Sequence, residues 1–401
     1  MNADDPNMPR LGQSTPPAGR KPRQRTSWLD AAVITVAALV SLGFMAVLLA
    51  PHTERTLRGA NDFAPLYSGP HLLETGDLYN HERLLDVSRR LTGMSSPEQG
   101  YIRLPFHAAL LWPLSRLPYE RAYLVWELAS LAAVATFLFL WRLPSRSSAL
   151  LFSCLSIPVF SALLNGQDST FLLLFVAAAA ALLQRSRPFA AGLIWSLCAI
   201  KVHLFLLTPI FIIARREWRF AQGLLSGGAA LAALSFAAAG RNWPVAFFES
   251  AANPAFSPGL SHTPTLHGTL SFVPGGAVLE TFAVLCVVAC VWMVCRRADL
   301  YLALAAVLAG GILTSVHSYL PDLSLLLPAA LAATALARTR LSRLTSLALL
   351  TPPVALTVTY GFPYSAIVVF LMLLLLGSLT AEAWTRAPEA NQESSAMAPR
   401  A

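Results

Sequence analysis

The sequence predicts an all-α polytopic membrane protein, and three observations support this fold class. Hydrophobic residues make up 55% of the 401 residues and charged residues only 12%, which is too apolar for a soluble protein of this length. Apolar runs of roughly 17 to 23 residues recur along the chain, and a helix needs about 20 residues to cross a bilayer. Lys and Arg collect in the short turns between alternate runs, so the net charge of +8 indicates membrane topology rather than nucleic-acid binding.

The apolar runs predict about twelve transmembrane helices within a membrane domain at 28–383. The predicted spans are 28–50, 119–141, 147–163, 170–184, 189–200, 202–214, 220–239, 276–295, 300–316, 320–337, 344–360 and 364–383. With the N-terminus in the cytoplasm, 19 of the 29 Lys and Arg residues fall in the tails and turns of that side. We therefore expect both tails, 1–27 and 384–401, to be disordered and cytoplasmic.

Two long loops, 51–118 and 241–275, then lie on the extracytoplasmic side. The first contains "GDLYNHERLLDVSRRL", whose apolar residues recur at helical spacing and predict an amphipathic helix on the membrane surface. It is followed by "LPFHAALLWPLSRLP", which is too short and too interrupted by proline to span. We expect it to be a re-entrant or interfacial element. Long loops on one face of a helical bundle commonly carry function.

Polar residues that the topology places at the outer face are the candidate functional residues. An ionisable group at a helix centre costs about 2.5–3.5 kcal/mol on insertion scales, so its presence needs a reason. Each also has an ordinary explanation, because an acid can be solvated, an amide can belong to a turn and a lysine can snorkel to the interface. The candidates are Asn61, Asp62, Arg103, Asn165, Gln167, Lys201, His203, His267, His317 and Asp322.

Several motifs in their order along the chain resemble glycosyltransferase family 87. They are "NDFAPLYSGPHLLETGDLYN", "YIRLPFHAALLWPLSRLP", "LLNGQDSTFLLL" with the run that continues to "RREWR", "TLHGTL" and "SVHSYLPDLSLLLP". The resemblance covers about residues 28–380 and implies the C-type membrane glycosyltransferase fold. It also implies residence in the inner (plasma) membrane, a polyprenyl-phosphate sugar donor, a catalytic aspartate in the first outer loop and an extracytoplasmic active site.

The chemistry of such a transfer assigns a role to each candidate. An acceptor hydroxyl must lose its proton, and Asp62 matches the family's aspartate as general base. The departing phosphate needs cations or hydrogen-bond donors, for which we expect Arg103, Lys201 and His317. We expect the remaining candidates to bind substrate, and we expect neither a metal nor another cofactor, because the sequence shows no dense carboxylate cluster. The predicted reaction transfers a hexose, with mannose favoured by the resemblance, to a lipid or glycan acceptor by inverting displacement.

Three other readings are compatible with parts of the sequence. A transporter or flippase for a lipid-linked substrate would place ionisable groups in a central pathway between symmetric halves, and no internal repeat is visible. An assembly subunit without catalytic activity would function without Asp62. A related transferase would use a different lipid-linked sugar, such as arabinofuranose or glucose.

Overall fold

The computed structural model describes residues 61–94, 100–253 and 259–385, together with positions 32, 35, 36, 39 and 43. These residues form α-helices and short 3-10 helices, and none of them lies in a β-strand. For the described part of the chain, the predicted all-α class is therefore confirmed. The predicted tail at 1–27, most of the span at 28–50 and residues 386–401 lie outside the described residues.

The described α-helices are numbered here in chain order. They are α1 (Phe63–Ser68), α2 (His81–Thr92), α3 (Pro105–Ser115), α4 (Tyr119–Leu140), α5 (Arg146–Leu155), α6 (Ile157–Leu164), α7 (Ser169–Gln184), α8 (Pro188–Ser196), α9 (Thr208–Arg215), α10 (Trp218–Ala239), α11 (Trp243–Ala251), α12 (Leu266–Leu270), α13 (Gly276–Arg297), α14 (Leu300–Thr314), α15 (Leu326–Leu336), α16 (Arg340–Leu349), α17 (Pro352–Leu356) and α18 (Ala366–Thr385). The 3-10 helices are Gly69–Leu72, Leu197–Phe205, Leu260–His262, Leu320–Leu325 and Thr357–Tyr360.

Five helical segments among these residues are long and apolar enough to cross a bilayer: Tyr119–Leu140, Pro188–Phe205, Trp218–Ala239, Gly276–Arg297 and Ala366–Thr385. Two bent pairs, Ser147–Leu155 with Ile157–Leu164 and Arg340–Leu349 with Pro352–Tyr360, raise the number to seven if each pair is one span. The structure thus supports a polytopic membrane protein, while the prediction of twelve spans is not confirmed.

Two local features interrupt the predicted spans. Ser156 separates α5 from α6, its hydroxyl accepts from the Val159 amide, and the next helix starts with a proline at its second position. Because Pro158 has no backbone N–H to continue the ladder, the two helices meet at an angle of 61°. The predicted spans 189–200 and 202–214 are likewise joined by a 3-10 helix, in which Lys201 has non-helical φ and ψ of −131° and 62°.

The bundle packs around α14, which is buried along nearly its whole length. From Tyr301 to Leu313 every residue of α14 is buried. Close helix contacts elsewhere depend on glycine, since a Cβ on Gly192 of α8 would lie 2.1 Å from the Phe220 carbonyl oxygen of α10. In return, a Cβ on Gly223 would lie 2.0 Å from the Phe189 carbonyl oxygen. The backbones of α8 and α10 therefore touch directly. This contact positions α8, which leads into the 3-10 helix that carries Lys201.

The first long loop folds into a small helical unit with its own apolar core. The predicted amphipathic segment forms α2, which begins at the Asn80 cap and buries Leu84 among the side chains around Phe63. The Pro-interrupted segment forms α3, an eleven-residue helix with Pro113 inside it. Both elements were predicted, and their position relative to a membrane surface remains a prediction.

Candidate active site

A tight turn between α6 and α7 lies directly beside the start of the first long loop. Gly166 adopts a φ of +61° in this turn, and a Cβ at that position would lie 2.7 Å from the Phe63 Cβ. The Asp62 backbone N–H donates to the Asn165 carbonyl at 2.9 Å, so the two segments are tied together through their main chains. The turn therefore places Gln167 next to Asp62, although 105 residues separate them in sequence.

Four buried charged side chains lie behind this turn and balance one another. Arg103 donates from Nε and Nη2 to the two carboxylate oxygens of Asp168, at 2.6 and 3.1 Å. Lys201 donates to Asp322 at 2.5 Å and lies 3.2 Å from Asp168. None of the four is more than 8% exposed. Two buried cations thus neutralise two buried anions, as burial at this depth requires.

Polar neighbours complete the hydrogen bonding of this charge network. Besides its contacts with the acids, the Lys201 ammonium donates to Ser169 Oγ at 2.8 Å and to Gln167 Oε1 at 2.6 Å. Asp322 accepts from Ser169 Oγ at 3.2 Å and from the Tyr319 amide at 2.9 Å. The three hydrogens of Lys201 therefore serve protein acceptors only.

Asp62 is connected to this network and yet keeps a solvent-exposed side chain. Its Oδ2 accepts a hydrogen bond of 2.5 Å from Gln167 Nε2. The dense protein around it raises the pKa of Asp62, against the lowering effects of the Gln167 hydrogen bond and of the Lys201 and Arg103 charges. Because Asp62 is exposed, this desolvation effect is smaller than it would be for an acid buried to the depth of Asp168.

For Asp168 the effects on the pKa balance in the opposite direction. Burial alone would raise its pKa, but the adjacent Arg103 and Lys201 outweigh that effect and hold the pKa well below its usual range. Asp168 is therefore a permanent anion whose charge is used within the protein. The contrast separates an acid that holds the structure together, Asp168, from an acid that remains accessible to a substrate, Asp62.

Two histidines form a second feature close to the same network. The ring centroids of His203 and His317 lie 4.4 Å apart. The Tyr319 ring stacks on the His317 ring at 5.8 Å. Burial lowers the pKa of His317, and Asp322 opposes the shift. A neutral imidazole donates from one nitrogen and accepts at the other, so His317 offers a hydrogen bond without a fixed charge.

The structure thus brings Asp62, Arg103, Gln167, Lys201 and Asp322 into one hydrogen-bonded assembly, and the charge of Asp322 acts on both His203 and His317. These predicted residues lie at one end of the bundle, and the predicted membrane topology remains a prediction. At the other end, the Arg215 guanidinium donates to the Cys295 and Ala298 carbonyls.

Three other predicted residues have partners of their own in the protein. The buried Asn61 pairs with the Tyr119 hydroxyl and accepts from the Ala64 amide at the start of α1. The Asn165 amide donates to the Ser161 carbonyl at 2.9 Å. His267 pairs with Glu280 at 3.1 Å. Their predicted contacts with substrate remain predictions.

The sequence reasoning did not select Asp168, which the structure places at the centre of the network. A signal was available, because this acid directly precedes the long apolar helix α7. An acid next to an apolar helix needs a cationic partner, and few cations lie near it in this bundle. Ser169 and Tyr319 were missed for another reason, since hydroxyl and amide groups carry no comparable penalty. Within the described residues, no group of three or more His, Cys, Asp or Glu side chains has the arrangement of a metal site.

Comparison with known families identifies the chain. A sequence model described as glycosyltransferase family 87 matches residues 104–320, which is more than half of the chain. The chain belongs to glycosyltransferase family 87. No curated protein and no solved structure matches it significantly.

The residues that match the family 87 model include only part of the candidate site. The Gln167 turn, Asp168, Lys201 and His317 lie within the matched residues, whereas Asp62 and Arg103 precede them and Asp322 follows them. The membership therefore establishes a membrane glycosyltransferase. The contribution of Asp62 depends on the geometry that joins it to Gln167.

Proposed function

We propose that this family 87 glycosyltransferase transfers a hexose from a polyprenyl-phosphate donor to a lipid or glycan acceptor, with Asp62 as general base. Mannose is the proposed sugar because of the motifs shared with polyprenol-phosphate-mannose-dependent enzymes. The observation that carries the assignment is the division among the three acids of the site. Asp168 and Asp322 are buried against cations, whereas Asp62 keeps an exposed side chain.

The proposed step uses this accessible carboxylate. The acceptor oxygen forms a bond to the anomeric carbon while the bond from that carbon to the phosphate oxygen breaks. The hydroxyl proton moves to Asp62, and the phosphate leaves with the electron pair. A positioned general base typically contributes ~10²–10⁴-fold. Direct displacement inverts the anomeric configuration, so a product that retains the donor's configuration would contradict the step.

Donor binding is proposed for Arg103 and His317 rather than for all three predicted groups. Arg103 uses Nε and Nη2 on Asp168, which leaves Nη1 for a phosphate oxygen. His317 adds a donor next to the same network. The earlier expectation that Lys201 binds phosphate remains a prediction, but its four protein contacts favour another role.

The position of the site relative to the membrane is also a proposal. The concentration of Lys and Arg in the tails and turns of the other side supports an extracytoplasmic site, in the inner (plasma) membrane of a cell with polyprenyl-phosphate sugars. In that arrangement the donor head group lies at the level of Asp62. A single cysteine is introduced at Gly93 of a variant whose five native cysteines are replaced by serine. Labelling by a membrane-impermeant reagent added outside intact cells would support this orientation, and labelling only after lysis would contradict it.

The test of activity compares membranes that contain the wild type, Asp62→Asn or Asp86→Asn. Asp86 is a matched control because it is an exposed acid of the same loop, paired with Arg90 at 3.0 Å. Radiolabelled polyprenyl-phosphate-mannose is supplied with the host's lipids, and label in a new glycolipid or glycan is measured. We expect transfer by the wild type and by Asp86→Asn, and a loss of at least roughly 100-fold in Asp62→Asn. Equal transfer by all three would exclude Asp62 as the base.

A further inference from the structure

The Gln167 side chain connects a buried cation to the exposed carboxylate of the site. Its Oε1 accepts from Lys201 at 2.6 Å, and its Nε2 donates to Asp62 Oδ2 at 2.5 Å. The two ends of one amide are therefore both engaged, and they face partners of opposite charge.

We propose that Gln167 is a positioning residue for Asp62 and that Lys201 determines which end of the Gln167 amide faces the carboxylate. The catalytic meaning of this inference rests on the proposed function. The structural part concerns only the amide, the ammonium and the acid, and it can be tested without a substrate.

The chemistry of the two partners requires this orientation. An ammonium has hydrogens but no acceptor, so the atom of Gln167 that faces Lys201 must be the oxygen. The amide NH₂ then points to Asp62, where only an ionised or otherwise accepting oxygen can receive it. Terminal amides are commonly ambiguous in orientation, and here the charge of Lys201 removes the ambiguity.

Two consequences follow for Asp62. A hydrogen bond to the charged form of an acid favours that form, so Gln167 opposes the effect of the surrounding protein on the Asp62 pKa. The bond also occupies Oδ2 alone. Oδ1 receives no hydrogen bond from a described residue and can accept from an acceptor hydroxyl.

The charged and titratable groups around Asp62 can be ranked by their effect. Lys201 and Arg103 favour the anion, and Asp168 opposes it. Burial raises the pKa of Tyr319, which lies on the segment before Asp322, and the charges of Asp322 and then Asp62 add smaller effects in the same direction. Gln167 has the largest stabilising effect among these groups, because it contacts the carboxylate directly.

An infrared titration of the purified protein in lipid nanodiscs tests the inference. Aspartates are labelled with ¹³C at the side-chain carboxyl, and Asp62→Asn identifies the carbonyl band of protonated Asp62. We expect the apparent pKa of Asp62 to rise by roughly one unit in Gln167→Leu, which removes the donor, and by more in Gln167→Glu, which adds a like charge. Asn165→Ala is the matched control, because that amide of the same turn donates to Ser161 instead.

The outcomes separate the inference from the proposed function. An Asp62 pKa in a folded Gln167→Leu that equals the wild-type value would overturn the positioning role, as would an equal rise in Asn165→Ala. If Gln167→Leu does not fold, Gln167→Met, which has a similar length and also lacks the amide donor, decides in the same way. Transfer by Asp62→Asn would overturn the proposed function and leave the infrared result intact. In the transfer assay, we expect the Gln167→Leu defect to shrink as pH rises, whereas a purely structural defect would not depend on pH.

Discussion

Arg103 and Asp168 form a two-point ion pair, in which both carboxylate oxygens accept from one guanidinium at 2.6 and 3.1 Å. Arg103 precedes α3 in the first long loop, and Asp168 directly precedes α7 in the bundle. The pair therefore fastens the loop that carries Asp62 to the helices that carry Lys201 and Asp322. Loss of either charge should affect the fold as well as the site.

We expect Asp168→Asn to lower the free energy of unfolding by about 3–5 kcal/mol, because it leaves buried cations uncompensated. Thermal unfolding of the purified protein in detergent measures this change. The control Asp86→Asn removes an exposed pair, for which about 0–1 kcal/mol is expected. Equal stability of the two variants would show that Asp168 is not needed to neutralise the network.

Asp168 is harder to recognise from the sequence than Lys201. Lys201 lies inside an apolar run, where a charge is conspicuous, whereas Asp168 lies in a polar turn, where an acid is ordinary. Pairing between residues 65 positions apart, as for Arg103 and Asp168, depends on the helix arrangement and not on local pattern. Conversely, Asn61 looked available for substrate because its sequence context does not reveal the Tyr119 hydroxyl that it meets.

Helix boundaries were also only partly predictable from local sequence patterns. The apolar composition predicted the regions of α4, α10, α13 and α18 because each is one uninterrupted run. Composition alone did not separate α5 from α6, since that break depends on a proline, whereas the predicted boundary between 189–200 and 202–214 falls at Lys201, whose φ and ψ are non-helical. The count of twelve assumed that every apolar run is one straight span.

The turn at Gly166 gives a second prediction, about the distance between Gln167 and Asp62. Gly166→Ala would place a Cβ at φ +61° and 2.7 Å from the Phe63 Cβ, so the segment after Asp62 must move away from the turn. We expect transfer to fall by at least roughly 10-fold, since a displacement of about 1 Å in a catalytic group has large effects on rate. Gly93→Ala has a similar φ of +84° with nothing within 4 Å, and it controls for backbone strain alone. If transfer falls equally in the two variants, backbone strain alone explains the loss.

A third prediction concerns the contact between α8 and α10. Gly223→Ala must push α8 away, because the new methyl group would meet the Phe189 backbone at 2.0 Å. We expect a lower unfolding temperature and reduced transfer, since α8 leads to Lys201. Gly228→Ala, on the same helix with nothing within 4 Å, should leave both unchanged or raise stability slightly. Thermal unfolding and the transfer assay on the two variants measure the difference, and a stable, active Gly223→Ala would show that the helices can separate without consequence.

The last prediction separates two roles of Lys201: it neutralises Asp322, and it orients the Gln167 amide by a hydrogen bond. Lys201→Met should lower the free energy of unfolding by about 3–5 kcal/mol, because Asp322 then lacks its buried cation. Adding Asp322→Asn removes the unpaired charge, so the double variant should regain part of that stability, and the double-mutant cycle gives the coupling. Transfer should not return, because no ammonium remains to hold the Gln167 oxygen and direct its NH₂ to Asp62. A double variant that recovers both stability and transfer would show that Lys201 serves only to neutralise Asp322.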